Sequence, residues 1–95
     1  MVKFDHMAFE VSNMDESIKF YTEILGLRLL FRQVNEDVHE DYALLALEGG
    51  NLELIQRLDG PFEKSEIRPH YCPHLALVSE DMAKTLSMIE EHHLP

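Results

Sequence analysis

The sequence predicts an α+β fold: a βαβββ module, followed by the first strand and helix of a second, incomplete βαβββ module. Three observations carry the prediction. The opening "FDHMAFEVSNMDESIKFY" alternates like a strand and then switches to a helical period. Three more strand-like runs follow before a proline-bearing connector. Finally, "CPHLALVSEDMAKTLSMI" near the end repeats the opening. Sliding the chain on itself by 68 residues sets His6 on His74, Ala8 on Ala76 and Met14 on Met82 without a gap.

Each element has its own signal. Residues 2–11 alternate, with Phe4, His6, Ala8 and Glu10 on one face and Met7, Phe9 and Val11 on the other. Asn13 has the character of a helix N-cap, with Asp15 and Glu16 in the first turn. Met14, Ile18, Tyr21 and Leu25 then mark one helix face, and Gly26 is placed to end it. "LRLLFRQV" is the second strand, "NEDVHED" a polar turn, and "YALLALE" the third strand. Gly49 and Gly50 turn the chain into the fourth, "NLELIQRL". Residues 59–73, with Gly60, Pro61, Pro69 and Pro73, form the connector. "HLALV" is then a strand, and residues 80–92 a helix with Met82, Leu86 and Ile89 on one side. The expected organisation is a first module over 1–58, a linker over 59–73 and the start of a second module over 74–95, its last three strands absent.

Composition narrows the function. At 95 residues the chain makes at most one small domain, and 45% hydrophobic residues spread along it favour folding. A formal charge of −10 with scattered basic residues argues against nucleic acid. No apolar run approaches the roughly 20 residues a membrane helix needs, and the N-terminus lacks a signal pattern. Cys72 is the single cysteine, with nothing beside it to activate the thiol, so no oxidising compartment is implied and a cytoplasmic location is expected.

The repeat places His6 and His74 at equivalent points of equivalent strands. Glu53 sits inside the apolar fourth strand, where a carboxylate is costly to bury unless paired or bound to a cation. Two imidazoles and one carboxylate on rigid strands suit a divalent metal. Taken singly, each is better explained as a satisfied or solvated strand residue; the repeat-equivalent placement of the two histidines raises the metal reading until the two are balanced. His39, His70, His92 and His93 fall in loops or at a polar helix end and are expected to be solvated. The acidic "NEDVHED" segment lacks the ordered oxygen spacing of a calcium loop. There is no phosphate-binding glycine loop, nucleophile elbow or CxxC pair.

At these residues the chain resembles the vicinal oxygen chelate superfamily, which includes glyoxalase I, methylmalonyl-CoA epimerase, extradiol dioxygenases and bleomycin-resistance proteins. The resemblance is carried by "DHMAFEVSNMDESIKFYTEILGLRLL", "NLELI" and "PHLALV". It implies two paired βαβββ modules forming a cupped sheet around a metal, with His6, Glu53 and His74 at ligand positions. A glutamate at Glu53 looks like glyoxalase I. The fourth ligand would come from a last strand beyond Pro95. Glu10 stands where bacterial glyoxalase I usually has an arginine that helps hold glutathione, and Arg57 where it has an asparagine, so at these two positions the chain departs from the family's pattern for glutathione.

The resemblance implies a glyoxalase I-like, metal-dependent lyase or isomerase of the lactoylglutathione lyase type, acting on a small carbonyl substrate. The ion, Ni, Zn, Co or Mn in preference to Fe, would polarise a carbonyl or enediolate oxygen. Glu53 would be the catalytic carboxylate that moves the proton. Catalysis is expected if a partner or a longer form completes the second module, and a homodimer is expected. The alternatives are a non-catalytic small-molecule-binding or resistance-type module of the same superfamily, and a relative of the Fe(II) extradiol dioxygenases. No substrate-binding residue is assigned.

Overall fold

In the computed structural model, residues 1–63 and 74–92 are described. The chain divides into two units, Met1–Phe62 and Glu63–Pro95. The first holds a four-stranded mixed sheet of β1 (His6–Glu10), β2 (Arg28–Asn35), β3 (Glu40–Leu47) and β4 (Gly50–Arg57), in the order β1-β4-β3-β2. β1 runs parallel to β4, and the other neighbours are antiparallel. This is the βαβββ order the alternation predicts, with β1 beginning at His6 rather than at residue 2.

One face of the sheet is buried by α1 (Met14–Lys19) and the helical turn that follows it. Ala43, Leu45, Leu52 and Leu54 point into this layer and meet Met14 and Ile24, so the core of the unit consists of these side chains. Leu45 faces Leu52 and Ala43 faces Leu54 across the β3–β4 ladder, the same-face pairing that strand alternation requires. Asn13 caps α1 as its sequence indicates: its Oδ1 accepts from the Glu16 N–H at 3.1 Å. A second helix-start donor, the Met14 N–H, is satisfied by Gln56 Oε1 of β4 at 2.7 Å, which ties the helix end to the sheet.

The helix does not continue as an α-helix to Leu25. Phe20–Ile24 form a π-helical turn, in which the Leu25 N–H donates to Phe20 O at 3.2 Å. The wider turn changes the angular step per residue, and Ile24 rather than Leu25 takes the buried position. Gly26 then exits at φ +77°, the left-handed conformation expected for a C-terminal glycine. At the β3–β4 turn Gly49 has φ +89°, and the absence of a side chain on Gly50 lets the Phe4 ring lie against its backbone just before β1.

The second unit contains α2 (Met82–Glu91), capped by Asp81, whose Oδ1 accepts from Lys84 N–H at 3.0 Å. The strand expected over 74–78 does not form: residues 74–79 carry no regular structure. A strand requires a ladder partner, and the only regular element among the described residues of this unit is a helix. Met82 and Leu86 are exposed. Most of the expected linker lies outside the described residues, as do His70, Cys72 and His93. Among the described residues no helix is long and apolar enough to cross a membrane.

One polar network crosses the helix-covered side of the sheet. Arg32 of β2 donates to the buried Asp41 of β3, with Nη2 at 2.8 Å from Oδ2, and to Asp15 of α1 at 2.6 Å. These two carboxylates hold the guanidinium pKa above its usual value. Arg32→Met keeps the bulk of the side chain but strips Asp41 of its partner. It is expected to cost about 1–3 kcal/mol, below the full price of breaking a buried pair because Arg32 is partly exposed. Urea denaturation would measure the change, and unaltered stability would show that Asp41 finds water instead.

Candidate metal centre

The face of the sheet opposite α1 carries the candidate chemistry. His6, Ala8 and Glu10 of β1 share it with Glu53, Ile55 and Arg57 of β4, because the parallel ladder pairs Ala8 with Glu53 and Glu10 with Ile55. The strip reads as a polar pair, an apolar step and a second polar pair. At one end His6 Nε2 lies 3.8 Å from Glu53 Oε2. At the other, Arg57 Nε lies 3.3 Å from Glu10 Oε2. Glu53 is half-buried and His6 more open to solvent. Tyr42 of β3 lies further across the same face, with the Phe31 ring of β2 edge-on to it at a centroid distance of 5.9 Å.

His6 has a further partner that sequence reasoning missed. Its Nδ1 lies 2.6 Å from Asp5 Oδ2. Neighbouring residues within a strand point to opposite faces, which argues against contact between them. Asp5 escapes that constraint because β1 begins one residue later, at His6. An imidazole whose Nδ1 is held by a carboxylate presents Nε2 as its ligating atom. His6 Nε2 and Glu53 Oε2 would be the atoms that hold an ion, and one neutral nitrogen with one carboxylate oxygen is a donor pair that suits Zn, Ni, Co or Mn. The pair therefore fits a divalent metal.

The third predicted ligand, His74, belongs to the second unit, where it is exposed and outside any strand. Among the described residues no group of three His, Cys, Asp or Glu side chains is gathered for a metal. The structure thus brings His6 and Glu53 together. His39 is exposed in the β2–β3 turn at φ +55°, and His92 closes α2 with its ring Nδ1 2.8 Å from Met88 O. Both are accounted for by local structure.

The family model for the Glyoxalase/Bleomycin resistance protein/Dioxygenase superfamily matches residues 3–95. The chain belongs to this superfamily. Among its relatives, the uncharacterized Bacillus subtilis protein YwbC is 30% identical over 92 residues, 94% of this chain and 70% of that protein. A lactoylglutathione lyase of Schizosaccharomyces pombe is 36% identical over 47 residues, which is 50% of this chain and 16% of the lyase. In structure, the trypanothione-dependent glyoxalase I of Leishmania major aligns with a TM-score of 0.79 at 26% identity. That alignment covers 95% of this chain and 66% of the Leishmania enzyme. The chain therefore spans only part of the length of these relatives. The glyoxalase-like α+β fold expected from the sequence is the fold observed.

Asp5 sets the protonation of the candidate ligand. Its hydrogen bond is the main reason the His6 pKa lies above 6.5, with a smaller upward push from the Glu53 charge. In the metal-free protein this pairing adds stability that is fully present below pH 6.5 and is lost as pH rises through the raised value. A ligating imidazole must be neutral, so metal uptake should weaken as pH falls through that same value. Histidine NMR titration should place the His6 midpoint above 6.5 and, in Asp5→Asn, move it down towards 6.5. An unchanged midpoint in the variant would separate Asp5 from His6 in solution.

Proposed function

We propose that the protein is a glyoxalase-type, metal-dependent lyase or isomerase acting on a small carbonyl compound. The observation that carries this reading is the convergence of His6 Nε2 and Glu53 Oε2, 3.8 Å apart on the open face of the sheet. Superfamily membership and similarity to lactoylglutathione lyases support it.

In this reading His6 and Glu53 hold the ion, with Asp5 orienting the imidazole. When bound, the divalent ion supplies Lewis acidity towards a substrate oxygen. Glu53 also acts as the base: a carboxylate oxygen takes the proton from the carbon next to the substrate carbonyl and returns it to the neighbouring position. The half-buried setting of Glu53 limits competing hydration of that carboxylate. We also propose that two chains associate, for which the exposed Leu29, Leu30, Phe31 and Val34 on the edge strand β2 are the supporting observation.

Metal content per chain by plasma mass spectrometry, after purification without chelators, tests the proposal. It should be near one equivalent in the wild-type protein and fall at least about tenfold on His6→Ala or Glu53→Gln. Folded, metal-free wild-type protein that takes up no added zinc, nickel, cobalt or manganese would instead support a non-catalytic binding module of the same superfamily.

A further inference from the structure

β2 ends the sheet on the side away from β1, and β3 is its one ladder partner among the described residues. The outer backbone groups of such an edge are open to a further strand. All eight residues of β2 are exposed, whereas β3 beside it alternates between buried and half-buried positions. Its exposed apolar side chains lie on both faces of the sheet. Phe31 shares the open face with Leu44, while Leu29 and Val34 share the helix-covered face with Leu45 and Asp41. Edge strands that avoid association are short or carry proline or lysine. β2 is eight residues long and has neither, and its one bulge, at Leu30, sits near its start.

Charge along this edge is polarised. Arg28 opens the strand, and Glu36 and Asp37 follow its last residue, Asn35. All three charged residues are exposed, and among the described residues none of them makes an ion pair. A parallel neighbour of the same sequence would set base against base and acid against acid. An antiparallel copy sets opposite ends together, and a twofold axis makes that match twice. With the axis at Arg32, Leu29 of each copy meets Val34 of the other, and Phe31 meets Gln33. Arg28 then comes beside Asn35 and the Glu36–Asp37 step. The two Arg32 side chains that approach at the axis are each already paired with Asp41 and Asp15 of their own chain.

We infer that β2 is the docking edge for a second copy of this chain, which adds its own β2 antiparallel across a twofold axis and joins the two four-stranded sheets into one. This names the contact behind the proposed association and rests on that association, but not on the metal. The axis is normal to the sheet, so both His6–Glu53 pairs stay on the same side of it. The two β1 strands stand at the outer ends.

Sedimentation equilibrium on the full chain should show a reversible dimer. Arg28→Glu puts acid against acid at both contacts of its own dimer, and the double variant Glu36→Arg, Asp37→Arg puts base against base. Each alone should dimerise about tenfold more weakly, the scale of two reversed surface charge contacts. These positions are exposed, so the changes leave the core intact. Mixed in equal amounts, the two variants match again at both contacts and should recover near wild-type affinity as a heterodimer. Amide exchange followed by NMR should show β2 N–H groups gaining protection as the wild-type concentration rises. A dimer that the charge changes leave unaltered, weakening that the mixture does not reverse, or β2 amides that gain no protection would overturn the inference and leave association through another surface. A wild-type chain still monomeric at about 1 mM would overturn the inference and the proposed association together, with the metal reading standing.

Discussion

The parallel pairing of β1 with β4 is the constraint on which the rest depends. It joins the first and last strands of the module, so residues more than forty apart in sequence become cross-strand neighbours. Its register sets Ala8 opposite Glu53, and that single fact puts His6 beside Glu53 and Glu10 beside Arg57. A one-residue slip would send His6, Ala8 and Glu10 to the face covered by α1. The candidate centre is therefore a product of the ladder more than of any loop.

Several features of the first unit keep that register. The same β4 strand that faces β1 supplies Leu52 and Leu54 to the core, so its alternation is fixed by burial on the other side. Gln56 of β4 takes up a free donor at the start of α1, and Phe4 packs on the bare backbone of Gly50 immediately ahead of Asp5 and His6. Packing on one face of the sheet thus positions the polar residues on the other. Within that frame Asp5 adds a local adjustment, holding one ring nitrogen so that the other faces Glu53.

Much of this was legible from residues alone. Alternation in β1 separated the face of His6, Ala8 and Glu10 from that of Met7 and Phe9, and in β4 it set Glu53 between Leu52 and Leu54, which are buried on the other face. The Asn13 cap and the exit at Gly26 were readable because both rest on local backbone chemistry. The π-helical turn at Phe20–Ile24 was not, since nothing in a period of 3.6 separates it from a continuing helix. "HLALV" matched the opening strand in pattern, yet a pattern supplies no ladder partner, and residues 74–79 carry no regular structure. The Asp5–His6 contact is not legible in the alternation, because β1 begins at His6 and the pleat no longer constrains the side chain before it. The Glu10–Arg57 contact needed the register, which no single strand reveals.

The central claim is that His6 and Glu53 share one divalent ion. Crystals grown with zinc, with data collected on both sides of the zinc absorption edge, address it directly. The account predicts an anomalous peak bridging His6 Nε2 and a Glu53 carboxylate oxygen, with Asp5 still on His6 Nδ1. A zinc peak bound elsewhere on the chain, with His6 and Glu53 making only their direct contact, would contradict it.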